Sequence, residues 1–117
     1  AAHNKVDNMI SFVDCNGQQI DGPCDEVLSL KDLAGTWNAF GWHVIECDGH
    51  NIDELGSAIE EAHSRRGSGV PCIILMTTVM GKGVDFMEGT HKWHGIPPND
   101  EQLADALSQL DGSLGDY

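Results

Sequence analysis

Apolar residues gather in three short runs, at positions 9–13, 42–47 and 72–79, the last near-continuous through Cys72-Ile73-Ile74-Leu75-Met76. Near-continuous runs suit strands covered by helices on both faces of a parallel sheet. The stretches between them switch to helical spacing. Ser29 followed by Asp32 reads as a relaxed capping box before a helix through Phe40, and Asn51 followed by Glu54 makes a second start of the same kind. Behind Asn51, Ile52, Leu55, Ile59 and Ala62 fall on one helical face, and Gly67-Ser68-Gly69 supplies the stop and turn. A last helix is predicted from near Asn99, with Leu103, Ala106, Leu107 and Leu110 as its apolar stripe, after which residues 112–117 trail off.

Strand–helix–strand–helix–strand with crossovers of this length predicts an α/β fold built from right-handed βαβ units around a parallel sheet with flanking helices. Three strands make only part of a typical open sheet. The connection 81–98 lacks either periodicity and holds four glycines, two histidines, one tryptophan and two prolines. Loops of that length inside a compact domain are often functional, and Phe86, Met87 and Trp93 argue against simple disorder.

Charge narrows the partners. Six Lys and Arg against 19 Asp and Glu leave the 117-residue chain at −13, a field that repels nucleic-acid backbones and anionic membranes. The one basic doublet, Arg65-Arg66, falls at a predicted helix end, where it complements the dipole. A phosphorylated substrate needs more positive charge than this chain carries, a first sign that other segments contribute. Cys15, Cys24, Cys47 and Cys72 include no Cys-x-x-Cys pair, and three lie in or beside apolar runs, as buried free thiols do. With no signal peptide or membrane-spanning run, the expectation is a soluble cytoplasmic protein. Residues 1–5, without an initiator Met, read as the last turn of a helix beginning upstream.

Two segments offer chemistry. Residues 14–22, Asp-Cys-Asn-Gly-Gln-Gln-Ile-Asp-Gly, follow the first strand, where ligands of parallel α/β sheets gather. Asn16 offers a side-chain carbonyl oxygen, and a bend at Gly17 can turn the Gln18 carbonyl the same way; two neutral oxygens plus an Asp suit Mg²⁺ carrying diphosphate. Taken alone, Asn-Gly and Asp-Gly are more often turns, and from the residues themselves the turn reading leads. The second segment runs from Met80-Gly81-Lys82-Gly83 to Trp93-His94-Gly95. It lacks the P-loop pattern, and His91 and His94 lack a third ligand at zinc spacing. His94 beside Trp93 is a candidate for proton transfer, although loop histidines more often serve solvation. Asp48-Gly49-His50 reads as structural, preparing the next helix.

Taken together, Lys5-Val6-Asp7-Asn8-Met9-Ile10, Val13-Asp14-Cys15-Asn16-Gly17-Gln18-Gln19-Ile20-Asp21-Gly22, Phe40-Gly41-Trp42-His43-Val44, Asp48-Gly49-His50, Thr78-Val79-Met80-Gly81-Lys82-Gly83-Val84 and Trp93-His94-Gly95 resemble transketolase, collinearly and over essentially the whole chain. The style is that of the amino-terminal subunit of split bacterial and archaeal transketolases; 1-deoxyxylulose-5-phosphate synthase is a nearby alternative that Gln19-Ile20-Asp21-Gly22 fits less well. The resemblance implies a carboxyl-side portion of a thiamine diphosphate-binding domain spanning 1–117, with thiamine diphosphate and Mg²⁺ as cofactors. It implies Asn16 and the Gln18 carbonyl as metal ligands. Ile20 and Met80 become apolar contacts of the cofactor, and His94 a catalytic histidine near the diphosphate and the reacting substrate. Cys15 stands where an acidic residue or asparagine is commoner. The implied chemistry is passage of a two-carbon ketol unit from a ketose phosphate to an aldose phosphate.

The family's Gly-Asp-Gly and Glu-Gly-x-x-Trp-Glu stretches, with their Asp ligand, are expected before Ala1, and the glutamate that activates the cofactor lies in a carboxyl-terminal domain. The chain is therefore expected to act in a dimeric or larger assembly with a transketolase carboxyl-terminal subunit or other missing segments. Alternatively, it is a noncatalytic interaction or structural domain that kept the fold.

Overall fold

The computed structural model of the chain describes residues 1–110, so the trailing segment read at 112–117 lies outside the described residues. Three strands form a parallel sheet: β1 (Ile10–Cys15), β4 (His43–Asp48) and β5 (Cys72–Thr77), in the order β1-β5-β4. The register runs Ile10–Cys72–His43 through to Cys15–Thr77–Asp48. The α/β architecture read from the periodicity is thus present, with strand boundaries displaced. β1 runs two residues further than its apolar run because Asp14 and Cys15 continue the ladder. β5 stops at Thr77, before the apolar Val79 and Met80.

Position explains the apolar continuity of β5. As the middle strand it is covered on both sides, and Cys72, Ile73, Ile74 and Leu75 are all buried. On one face Cys72 and Ile74 join Ile45 beneath Ala58 and Ala62 of α3 (Ile52–Ser64), the principal core cluster. Burying Ile74 completely contributes about 1.5–3 kcal/mol. Leu75 and Thr77 turn to the other face, where Leu33 and Ala34 of α2 (Leu33–Ala39) close over the sheet.

Helix starts follow the side chains available to cap them. Asn51 Oδ1 accepts from the N–H groups of Asp53 and Glu54, and Glu54 reaches back to the Asp48 N–H at 3.0 Å. Asn99 and Gln102 form a full reciprocal capping box at α4 (Asp100–Gln109). At α2 the cap is Asp32, whose carboxylate accepts from Gly35 N at 2.7 Å. The expectation of Ser29 as the start is corrected, because its hydroxyl donates instead to Asp25. Two predicted stripes also change. Ile52 is 77 % exposed, and of the α4 stripe Ala106 is buried while Leu103, Leu107 and Leu110 remain exposed. Apolar spacing marks which face of a helix is available, and burial needs a partner.

Between β1 and α2 the chain makes a miniature hairpin of β2 (Gln18–Gln19) and β3 (Gly22–Pro23), followed by the single-turn α1 (Cys24–Val27). Residues 2–4 form one 3-10 turn ending at Lys5. The Asp7 carboxylate then accepts from Gly67 N and Gly69 N, fastening the approach to β1 onto the turn before β5. All four cysteines are free. No helix among the described residues is long and apolar enough to cross a membrane.

Candidate functional site

The carboxyl ends of β1 and β5 sit side by side, and two loops rise from them. After β1, Asn16 Oδ1 accepts from the Gln18 N–H at 2.9 Å, the short turn that Asn-Gly favours, with Gly17 at φ 72°. The turn leads straight into the hairpin, whose tip carries Ile20, 67 % exposed. Gln18 and Pro23 face each other as a non-hydrogen-bonded pair, with Cys24 N donating to Gly17 O at 2.9 Å, so the Gln18 carbonyl turns away from β3. After β5 the chain turns at Thr78 and Val79 into half-buried Met80, crosses residues 81–90, and returns through a 3-10 turn (His91–Trp93) to His94.

These excursions bring Asn16, Gln18, Ile20, Met80 and His94 to one opening of about 410 Å³, completed by Asp21 and Val27. The five positions come from three stretches of sequence. A larger cavity of about 700 Å³ shares Asn16 and Gln18 and extends along the sheet past Val13, Cys15 and Leu75. Within it, burial and the carboxylates of Asp14 and Glu46 push the Cys15 thiol up, so this cysteine stays protonated at neutral pH.

The loop after β5 is held by specific bonds. Gly89 N donates to Met80 O at 2.8 Å, and Trp93 Nε1 donates to Phe86 O at 2.9 Å while the two rings meet edge to face at 5.3 Å. Gly81, at φ 70°, lies so close to the Met87 carbonyl that a Cβ there would overlap it. Gln109 of α4 clasps Asp85, accepting from its N–H at 2.8 Å and donating to its carboxylate at 3.0 Å. Lys82, one of the loop's two lysines, lies 3.9 Å from Glu88.

Among the described residues no three His, Cys, Asp or Glu side chains gather as a metal cluster. The opening's neutral oxygen donors include Asn16 Oδ1, with one lone pair beyond that used by Gln18 N–H, and the Gln18 carbonyl. They fit a hard cation in kind and would supply part of its shell. Asp14, adjacent, accepts from Asn16 Nδ2 at 3.4 Å and from the Thr78 hydroxyl, bracing one strand end against the other.

Comparison with known proteins decides the family. Residues 1–113 match the model of the transketolase thiamine diphosphate-binding domain. The chain belongs to the transketolase family. It is 41 % identical over 111 residues to the 6-deoxy-6-sulfo-D-fructose transketolase subunit of a Clostridium species, covering 95 % of this chain and 40 % of that one. Against an apulose-4-phosphate transketolase subunit from Phocaeicola vulgatus it is 34 % identical, covering 91 % of this chain and 37 % of that one. The crystal structure of Campylobacter jejuni transketolase superposes with a TM-score of 0.82 at 32 % identity, over 93 % of this chain and 17 % of that one. The chain thus spans well under half the length of the transketolase relatives it matches.

Within this transketolase chain, three residues acquire places the sequence did not announce. Asp14 and Thr78 join the two strand ends. His50, read as part of a helix start, has its ring on the loop after β5, where Nε2 accepts from Val79 N at 2.8 Å. Asp14, the polar residue after the first apolar run, and Thr78, just past β5, were the available signal for the first pair. For His50 there was none, since nothing local links positions 50 and 79.

Proposed function

We propose that this chain supplies part of the thiamine diphosphate and Mg²⁺ site of a transketolase, and takes part in two-carbon ketol transfer between sugar phosphates when assembled with further transketolase segments. The observation that carries the reading is the convergence of Asn16, Gln18, Ile20, Met80 and His94 on one opening at the carboxyl ends of the strands. Asn16 Oδ1 and the Gln18 carbonyl would hold Mg²⁺, and Ile20 and Met80 would give the cofactor an apolar bed. When bound, thiamine diphosphate supplies the carbon nucleophile that carries the ketol unit. The chain's own contribution is to orient and to move protons. Exposed His94 is the group able to hydrogen-bond a phosphate or substrate oxygen and to exchange a proton with it.

The two relatives above are named for different sugars, so the reading is of the shared transfer rather than of one sugar. Both are named as subunits, which supports a complementary polypeptide as partner, in a dimeric or larger assembly.

The test is titration of thiamine diphosphate with Mg²⁺ into the full chain, alone and mixed with transketolase polypeptides that supply both the upstream Gly-Asp-Gly segment and the carboxyl-terminal domain, followed by a coupled ketol-transfer assay. Binding and turnover are expected only in the mixture. Asn16→Ala should weaken Mg²⁺-dependent binding at least about tenfold, and His94→Ala should lower kcat about a hundredfold. A mixture that binds the cofactor equally well with Asn16→Ala would overturn the assignment of the metal site. A complex that forms but neither binds nor turns over would favour a noncatalytic interaction domain.

A further inference from the structure

We infer that His50 is a positioning residue for this pocket: through its imidazole it fixes the Val79 amide, and with it the placement of Met80. The inference rests on the cofactor reading for its purpose, and on the hydrogen bonding for its geometry.

The stretch 48–50 does more than start α3. Asn51 alone accepts from the Asp53 and Glu54 N–H groups in the first turn of that helix, so the cap does not need the histidine ring. The His50 backbone N–H is bonded to Asp48 Oδ1 at 2.9 Å, which ties its backbone to the end of β4. Gly49 N donates to Thr77 O at 2.9 Å, extending the β4–β5 ladder one bond beyond the sheet. A Cβ on Gly49 would lie 2.5 Å from Thr78 Cγ2 and 3.0 Å from Met76 Cβ, so the two chains touch backbone to side chain here. Beyond Thr77 the chain leaves β5, and the Val79 N–H finds its acceptor in His50 Nε2 at 2.8 Å. A ring nitrogen that accepts carries no proton, so the imidazole is neutral with its hydrogen on Nδ1.

The next residue is Met80, which lines the opening with Asn16 and His94. Met80 is held from its other side by the bond from Gly89 N to its carbonyl. A flexible thioether between these two bonds has its backbone fixed on both flanks, and it is otherwise the most adaptable apolar side chain in the pocket. His50 thereby connects the end of β4, which contributes no residue to the opening, to an apolar wall of the pocket.

The first readout uses the full chain without cofactor. In the parent protein, the His50 ring should show an unprotonated Nε2 with through-bond coupling to the Val79 amide. A proton on Nε2 with no such coupling would overturn the inference before any variant is made. His50→Gln places an amide oxygen at the reach of Nε2, so it should keep the Val79 amide protected from exchange and leave the Met80 methyl resonance in place. His50→Leu should speed Val79 exchange about tenfold and move the Met80 methyl resonance. An unmoved Met80 resonance in His50→Leu would overturn the link.

The second readout is thiamine diphosphate affinity in the assembled enzyme, where His50→Leu should weaken binding about three- to tenfold and His50→Gln should restore it. Equal affinity in parent and His50→Leu, with Met80 displaced, would overturn the role in cofactor placement. An assembly that binds no cofactor at all would overturn the cofactor reading, and the Met80 resonance would then decide the His50 link alone.

Discussion

The two ends of strand β5 are held by different physics. At its start, Pro71 to Leu75 are buried on both faces of the sheet, and what fixes them is the exclusion of water. Past its end, residues 78–94 are exposed or half-buried apart from Val84, and individual bonds hold them: Thr78 to Asp14, Val79 to His50, Met80 to Gly89, Asp85 to Gln109 and Trp93 to Phe86. Burial is strong and tolerant of chemistry provided the shape fits. Hydrogen bonds contribute less each, but they set direction. The domain places its stability at one end of the strand and its candidate site at the other.

The contrast is broken most sharply from the buried end. Ile74→Ala removes a fully buried side chain beneath α3 and should cost about 2–5 kcal/mol in chemical denaturation. Gly81→Ala forces a side chain into positive φ against the Met87 carbonyl. It should cost about 1–3 kcal/mol, with the disturbance confined to residues 79–90 in hydrogen exchange. Asn51→Ala takes away the cap of α3 and should cost about 1 kcal/mol, read from the denaturation midpoint. At the exposed end, Ile20→Ala should change stability by no more than about 0.5 kcal/mol, while cofactor affinity of the assembled enzyme falls. Equal losses of stability from Ile20→Ala and Ile74→Ala would erase the distinction.

The smallest effect is a pH slope. Burial and nearby Glu61, opposed by Arg65, hold the Cys72 thiol above its ordinary value of 9.0. The folded state therefore keeps a proton that the unfolded state releases first. The associated stability is fully present below that ordinary value and declines as pH rises through the folded one. Cys15 and Cys47 are raised in the same direction, so Cys72→Ala should flatten only part of the alkaline slope in denaturation midpoints.

How much was legible follows the same division. The middle strand, α3 and α4 were readable because burial on two faces, side-chain caps and helical spacing leave local marks: an unbroken apolar run, an Asn three residues ahead of Glu54, an apolar stripe behind Asn99. The start of α2 was misplaced because Ser29 and Asp32 are both cap formers, and only the fold shows that Ser29 is occupied by Asp25. The two-residue strands of the hairpin are too short for periodicity to register. At the site, the residues of 14–22 supported a turn before they supported a ligand. The structure has that turn, with Asn16 Oδ1 on Gln18 N, at the mouth of the opening. The grouping of Asn16, Met80 and His94 came from resemblance, because three stretches meeting across a sheet edge share no local spacing.

The strand order β1-β5-β4 has a consequence for how the chain is born. The central strand is the last of the three in sequence, so Ile10 waits for Cys72, and His43 waits for the same residue. During synthesis neither earlier strand can pair with β5 until residues 72–77 have emerged. Among the described residues, the joining of these three strands is then a late step of high contact order, slow by its topology. A ribosome stalled before residue 72 would hold β1 and β4 without the strand that joins them, the kind of intermediate that chaperones exist to shield.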